Sequence, residues 1–257
     1  EVVNVEKEFV SNPGLFQPKT SVKAVNDVSF KIYEGETLGL VGESGCGKST
    51  LGNVILQLDK ATAGKVFYHG RDITKISKTE LRKLRKEIQL IFQDPFSSLN
   101  PRIPVGKAIM EPMEVHRLYK NNKERKQKTL ELLHRVGLDE SHFNRYPHEF
   151  SGGQRQRIGI ARTIAVEPKL IVCDESVSAL DISVQAQVLN LLNELKDKFG
   201  FTYIFISHDL AVVKYMADQL LVMNQGKIVE QGDADHIYAN PEKEYTQKLI
   251  DAIPKGI

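Results

Sequence analysis

Three features of the sequence predict an α/β fold with a mostly parallel sheet. A short apolar strand pattern opens at residue 37, and the apolar runs 170–175 and 202–209, each ending on polar residues, read as strands buried on both faces. Helical patterns alternate with strands along the chain, the alternation that sets parallel strands side by side with crossover helices. The first run also leads through Gly42, Glu43, Ser44, Gly45, Cys46, Gly47, Lys48, Ser49 and Thr50, which have the G-x-x-x-x-G-K-[ST] spacing in a strand, loop and helix setting. In such a sheet a ligand belongs at the carboxyl ends of the strands.

Taken in order, residues 2–5 and the period-two stretch 24–32 predict strands. The loop between them has two prolines and carries Phe16, while Phe9 precedes it. Either ring could stack on a purine, and either could equally cover a sheet edge. In the glycine loop, residues 42, 45 and 47 let the backbone curl until its N–H groups converge on phosphate oxygens, and the helix opening near Lys48 adds its positive end. Lys48 is expected on the β- and γ-phosphates and Ser49 on Mg²⁺, with Thr50 beside it. A plain glycine turn with a capping serine would not need every position of this pattern. Residues 64–70 and 89–92 read as strands flanking a charged helix, 78–86, whose Arg82, Lys83, Arg85 and Lys86 are most simply a solvated face. Two prolines within 93–102 break regular structure, and a helical pattern then runs to about residue 145. Its basic run, residues 120–128, is again read as an exposed face.

Ser151, Gly152, Gly153 and Gln154 form a second glycine turn before an apolar helix, 158–166, which Pro168 stops. One nucleotide does not need two such anion sites on one chain, so this turn is expected to meet a nucleotide carried by another domain. The run 170–173 ends in Asp174 and Glu175. Adjacent strand side chains point apart, so Asp174 can serve the metal while Glu175 aims at an attacking water. A helix from about 184 to 199 precedes the strand ending at His208, which could bond the γ-phosphate or the water, although a lone histidine is more often structural. Asn224-Gln225-Gly226 between apolar runs is a hairpin signal, and the tail after residue 233 is helical and amphipathic.

The 257 residues are 41% apolar, enough for a large core. Thirty-five basic against 33 acidic residues leave a formal charge of +2, which gives no global field for nucleic acid or an anionic membrane. The only cysteines, Cys46 and Cys173, form no disulfide framework or cysteine-built metal site and suit a reducing compartment. No apolar run reaches the ~20 residues of a membrane-spanning helix, so any crossing would fall to other chains. Cys46, near a helix start and Lys48, is expected to have a lowered thiol pKa and to be blocked by maleimide unless Mg-ATP protects it. Cys173 reads as an inert packed thiol.

Residue by residue, the chain resembles the nucleotide-binding domain of ATP-binding cassette (ABC) transporters over essentially its whole length. Residues 42–49 are similar to the Walker A motif, Gln93 to the Q-loop, and Ser151, Gly152, Gly153 and Gln154 to the signature, with Phe150 where leucine is usual. Residues 170–174 are similar to Walker B, Glu175 takes the catalytic-base position, Ser178, Ala179, Leu180 and Asp181 resemble the D-loop, and His208 the switch histidine. The glycine loop, residues 93–102, Tyr146-Pro147-His148-Glu149 and Tyr245-Thr246-Gln247 resemble the dipeptide/oligopeptide and nickel permease ATPases in particular. Ser176 and Glu244 depart from that group's pattern, and no cysteine follows Cys173, so no iron–sulfur cluster is claimed.

The resemblance implies a P-loop NTPase with a mostly parallel RecA-like sheet, an antiparallel β subdomain and an inserted α-helical subdomain. Residues 1–97 and 159–257 would form the β subdomain and nucleotide-binding core, and residues 98–158 the helical subdomain. Because some relatives fuse two cassettes, the chain is compatible with the C-terminal half of a tandem. It implies ATP and Mg²⁺ as cofactors, with Ser49, Gln93 and Asp174 at the metal, Phe9 as the favoured adenine ring with Phe16 left open, and Lys48, Gln93, Glu175 and His208 in catalysis. The implied activity is ATP hydrolysis driving import of di- or oligopeptides or a related small solute. The implied partners are a second nucleotide-binding domain, transmembrane permease subunits and, indirectly, an extracytoplasmic solute-binding protein, at the cytoplasmic face of the membrane and without nucleic acid. Two other classes compete. A soluble ABC-type ATPase acting on ribosomes or DNA usually carries paired cassettes, and a P-loop kinase leaves residues 151–154 unexplained.

Overall fold

Runs of β-branched and aliphatic residues at two-residue period build most of the first of two units. The computed structural model describes residues 1–11, 20–94 and 98–253. They group into Glu1–Leu81 with Tyr203–Ile257, and Arg82–Thr202. Phe16 lies outside the described residues.

In the first unit, β1 (Val2–Ser11) pairs antiparallel with β2 (Thr20–Phe30) and β4 (Ala63–Tyr68), and β4 with β5 (Arg71–Asp72). Register slips in the β1–β2 ladder accompany two left-handed residues, Asn4 at φ 46° and Asp27 at φ 55°. Asn and Asp tolerate that region best, and here the Asn4 amide donates to the Asp27 carboxylate at 2.7 Å. The central strand of the unit, β3 (Thr37–Val41), is buried at every position. It runs parallel to β8 (Thr202–Ile206), with Leu38 opposite Ile204, and to β9 (Gln219–Asn224), with Leu40 opposite Leu221. Full burial of Leu38, Leu40, Ile204 and Phe205 contributes about 1.5–3 kcal/mol each. That packing fixes the strand ends from which the functional loops depart.

The predicted hairpin is present: β9 returns as β10 (Lys227–Asp233) through Gln225 at φ 45° and Gly226 at φ 81°. Two positive φ values in a two-residue turn match the right-handed twist of the flanking strands. The helices α1 (Lys48–Ile55), α7 (Leu210–Met216), α8 (Ala234–Ala239) and α9 (Glu244–Asp251) complete the unit. The charged helix α2 (Lys78–Glu87), in which the division between units falls, buries no residue, as its composition predicts.

The second unit holds β6 (Ile88–Ile91) parallel to β7 (Leu170–Asp174), with Leu90 opposite Val172. Its helices are α3 (Val105–Val115), α4 (Asn122–Arg135), α5 (Gly152–Ile164) and α6 (Ile182–Phe199). The helical pattern to residue 145 resolves into α3, α4 and a short 3₁₀ turn, Glu140–Asn144. Two expectations change here. Arg125 is not simply part of a solvated face: its guanidinium donates to the carbonyls of Leu118 at 2.9 Å and Tyr119 at 3.2 Å and so closes the α3–α4 loop. And α5 begins at Gly152, six residues before the apolar run that announces it, because Ser151 supplies a cap. Among the described residues no helix is long and apolar enough to cross a membrane.

Candidate functional site

The phosphate loop leaves β3 at Val41 and enters α1 at Lys48. Gly42, Gly45 and Gly47 have φ of 150°, 80° and 111°, and two of them also lack room for a side chain. A Cβ on Gly42 would lie 2.1 Å from the Met223 carbonyl oxygen, and one on Gly47 would lie 2.0 Å from that of Ala24. The loop therefore lies against backbone on its inner side, while Glu43, Ser44, Gly45 and Ser49 are exposed and Thr50 is half-buried. Lys48 is only 4% exposed. Its ammonium donates to the carbonyls of Gly42 at 2.8 Å and Glu43 at 2.9 Å, with the Cys46 sulfur at 3.9 Å as a weaker third acceptor, which aims the group across the loop.

Two outside contacts fix this loop that sequence reasoning does not anticipate. The hairpin turn reaches it: Gly226 N–H donates to the Cys46 carbonyl at 2.9 Å, and Asn26 N–H donates to Gly226 C=O at 2.8 Å. The C-terminal helix reaches it as well, where Glu43 N–H donates to Tyr245 Oη at 3.1 Å. The only advance signal for the second was the Tyr245-Thr246-Gln247 motif itself.

Cys46 corrects an expectation. Its side chain is 8% exposed, and burial pushes the thiol pKa up by more than the Lys48 charge pulls it down. The helix start and lysine are present as foreseen, but removing the thiolate from water dominates. Cys173 is fully buried, and burial raises its thiol strongly, in keeping with a packed, unreactive group.

In the second unit, β7 delivers Asp174 and Glu175 to one strand end, both half-buried. Strand alternation does not set the direction of Glu175. The strand stops at Asp174, and Glu175 stands at φ 45°, a left-handed conformation that costs a glutamate about 1 kcal/mol or more. Ser178 holds it there, donating to the Glu175 carbonyl from its N–H at 3.1 Å and its hydroxyl at 2.9 Å. Gln93, after β6, donates from its amide to Glu175 Oε2 at 2.9 Å. The two residues assigned to the Q-loop and to the base are thus hydrogen-bonded to each other.

Ser151 caps α5 in a reciprocal box: its hydroxyl accepts from Gln154 N–H at 3.3 Å, and the Gln154 side chain accepts from Ser151 N–H at 3.0 Å. Helix geometry gives the Gly152 and Gly153 amides no intrahelical acceptor, so the helix start is competent to bind an anion. The predicted glycine turn is therefore the first turn of the helix itself. Gly153 is required by packing, since a Cβ there would lie 2.2 Å from Val184 Cγ1 of α6. Of the residues compared with a D-loop, Ser178 and Ala179 are exposed and Leu180 half-buried, and Asp181 caps α6 by accepting from Val184 N–H at 2.9 Å. The Val184 amide and the Ser183 hydroxyl hold the Asp181 carboxyl below its ordinary range.

His208 is exposed in the first unit, between Ser207, whose N–H bonds the Leu40 carbonyl at 3.2 Å, and Asp209, which caps α7. Phe9 lies on β1, 47% exposed, with the Lys7 ammonium 4.9 Å from its ring centroid. Among the described residues no group of three His, Cys, Asp or Glu side chains could hold a metal by itself.

Comparison with known proteins gives the family of this chain. Residues 25–178 match the ABC transporter domain family. Over 255 residues the chain is 52% identical to the oligopeptide transport ATP-binding protein OppF of Bacillus subtilis, covering 99% of this chain and 82% of the relative. It is 45% identical to the dipeptide transport ATP-binding protein DppF of Escherichia coli, covering 99% and 76%. Among solved structures, a dimeric ATP-binding cassette in a post-hydrolysis state bound to ADP and Pi superposes with TM-score 0.80 at 29% identity, covering 91% of this chain and 97% of that one. A cassette from Clostridium perfringens, part of an ABC transporter complex, gives 0.77 at 26%, covering 94% and 93%. The mostly parallel α/β architecture, the glycine-walled phosphate loop and these likenesses lead to one conclusion: the chain belongs to the ABC transporter family.

Proposed function

We propose that this chain is the ATP-binding and ATP-hydrolysing subunit of an importer, and that it energises uptake of di- or oligopeptides through membrane permease subunits. The peptide assignment is supported by relatives named for oligopeptide and dipeptide transport that match 99% of its length. The observation that carries the nucleotide reading is the phosphate loop, whose exposed tip, glycine-only inner wall and inward lysine form a cradle for phosphates. Phe9 is the ring proposed to stack on adenine.

Within this reading Lys48 places positive charge against the β- and γ-phosphate oxygens while two loop carbonyls keep its direction fixed. Glu175 accepts the proton of the attacking water, which then displaces the γ-phosphoryl group from ADP. Gln93, already bonded to Glu175, keeps that carboxylate oriented, and His208 hydrogen-bonds the γ-phosphate or the water. The first turn of α5, with Ser151, Gly152, Gly153 and Gln154, completes the site of a second nucleotide-binding domain, and residues 178–181 border it. The Ser49 hydroxyl, the Asp174 carboxylate and the Gln93 amide oxygen are the groups proposed to hold Mg²⁺, an ion that keeps several waters and needs few protein ligands. When bound, the metal supplies charge neutralisation on the β- and γ-oxygens. Residues 98–158 are the lobe proposed to face the permease subunits at the cytoplasmic side of the membrane, with a solute-binding protein acting indirectly outside.

The test is Glu175→Gln. This variant should bind ATP, remain dimeric with it, and hydrolyse it very slowly. Near-normal ATPase activity would refute the assigned base, and failure of the native chain to bind Mg-ATP would refute the nucleotide reading altogether.

A further inference from the structure

The C-terminal helix lies far along the chain from the glycine loop, yet its first turn touches that loop at one defined atom. Glu43 N–H and Gly42 C=O belong to a single planar peptide unit. The N–H donates to Tyr245 Oη at 3.1 Å, and the C=O accepts the Lys48 ammonium at 2.8 Å. The plane is therefore held from both ends, by an uncharged hydroxyl on one side and the phosphate-binding cation on the other. Gly42, at φ 150°, is the residue about which such a plane rotates most readily. A rotated plane would withdraw the Gly42 oxygen from Lys48 and turn it toward the side where the amide now points. The lysine would lose one of the two carbonyls that direct it.

Tyr245 is itself anchored. The Glu230 carboxylate on β10 accepts from the amides of Glu242 at 2.8 Å and Lys243 at 3.2 Å, just before α9 begins. The Tyr245 ring is half-buried, so its hydroxyl reaches the loop from a fixed base.

We infer that Tyr245 is a positioning residue of the nucleotide site, setting the Gly42–Glu43 peptide and through it the direction of Lys48, so that α9 forms part of the phosphate-binding apparatus. This rests on reading the loop as the phosphate cradle of the proposed function. The contact preorganises the loop before any phosphate arrives, so its loss weakens every nucleotide that has a β-phosphate.

The test is Tyr245→Phe, which keeps the ring and removes only the hydroxyl. Mg-ADP affinity should fall about two- to tenfold, the span that one neutral hydrogen bond supplies. Hydrogen–deuterium exchange of the Glu43 amide should become faster, while the melting temperature without nucleotide falls by no more than the few degrees that one hydrogen bond supplies. A purely packing role predicts the reverse: a lower melting temperature with unchanged ADP affinity. The inference is overturned if the variant binds Mg-ADP as the native chain does, or if affinity falls with no change in Glu43 exchange. Were the native chain itself not to bind Mg-ADP, the nucleotide reading and this inference would fall together.

Discussion

Replacing Gly153 with alanine sets two local effects of known sign against each other. Alanine inside the first turn of α5 favours the helix by about 0.5–1 kcal/mol over glycine. Against this, the new Cβ would lie 2.2 Å from Val184 Cγ1, where ordinary contact is 3.4–4 Å, so the helices must part by more than 1 Å or Val184 must turn. Val184 sits in α6, where a β-branched side chain has one strongly preferred rotamer, so turning is costly. Overpacking of this kind costs about 1–3 kcal/mol, and the balance is a net loss of up to ~2 kcal/mol. The half-buried Val184, cut to alanine, should lose under about 1 kcal/mol on its own. The double variant should be at least as stable as Val184→Ala, because the clash is gone and the helix preference remains. Urea denaturation of the four proteins measures the coupling, expected at about 1 kcal/mol or more. Independent, additive effects, or a Gly153→Ala chain more stable than the native one, would refute the steric argument. ATPase activity should follow the same order, lowest in Gly153→Ala, since the displaced turn is the one proposed to serve a neighbouring domain.

Other outcomes follow from single contacts. Cys46 should react slowly with maleimide near pH 7, since a raised pKa leaves less thiolate than in an ordinary thiol. The rate should climb about tenfold per pH unit through and beyond the usual thiol range, with Mg-ATP slowing it throughout. Rapid labelling at pH 7 by mass spectrometry would contradict the buried thiol. Ser178→Ala removes one of the two bonds that hold the Glu175 carbonyl, and kcat should fall about two- to tenfold with ATP affinity unchanged. Steady-state kinetics with an unaltered kcat would show that the hydroxyl does not position Glu175, the proposed base. Ser151→Ala deletes the α5 cap and should lower stability by about 1 kcal/mol in urea denaturation.

Much of this arrangement is legible in the sequence, because the chemistry of phosphate binding constrains residue type and spacing together. The strand, loop and helix around residues 37–55 follow from the apolar run, the glycines and Lys48, and the hairpin follows from Asn224-Gln225-Gly226 between two apolar runs, although only Gly226 suits a positive φ by residue type. Burial on both faces identifies β7 and β8 from composition alone. What sequence reading misses is of two kinds. Balances between opposing effects cannot be read from neighbours in the chain: Cys46 has the cation that should lower its pKa, and only its burial in the fold reverses the sign. Contacts between residues far apart carry no local pattern either. Tyr245 and Glu43 are separated by 202 positions, and Gln93 and Glu175 by 82, so their pairing appears only once the strands are assembled. The left-handed Glu175 belongs with these, since its conformation is imposed by Ser178 and disfavoured by its own side chain.

Surface hairpins are the usual place to insert an affinity tag or a fluorescent reporter, because their tips tolerate change. The turn at Gly226 is unsuitable. Its amide holds the Cys46 carbonyl and its carbonyl holds Asn26 N–H, and a Cβ there would come within 3.1 Å of the Lys23 carbonyl oxygen. Lengthening this tip would pull on the glycine loop from behind, so labelled versions of the protein should carry their insertions elsewhere.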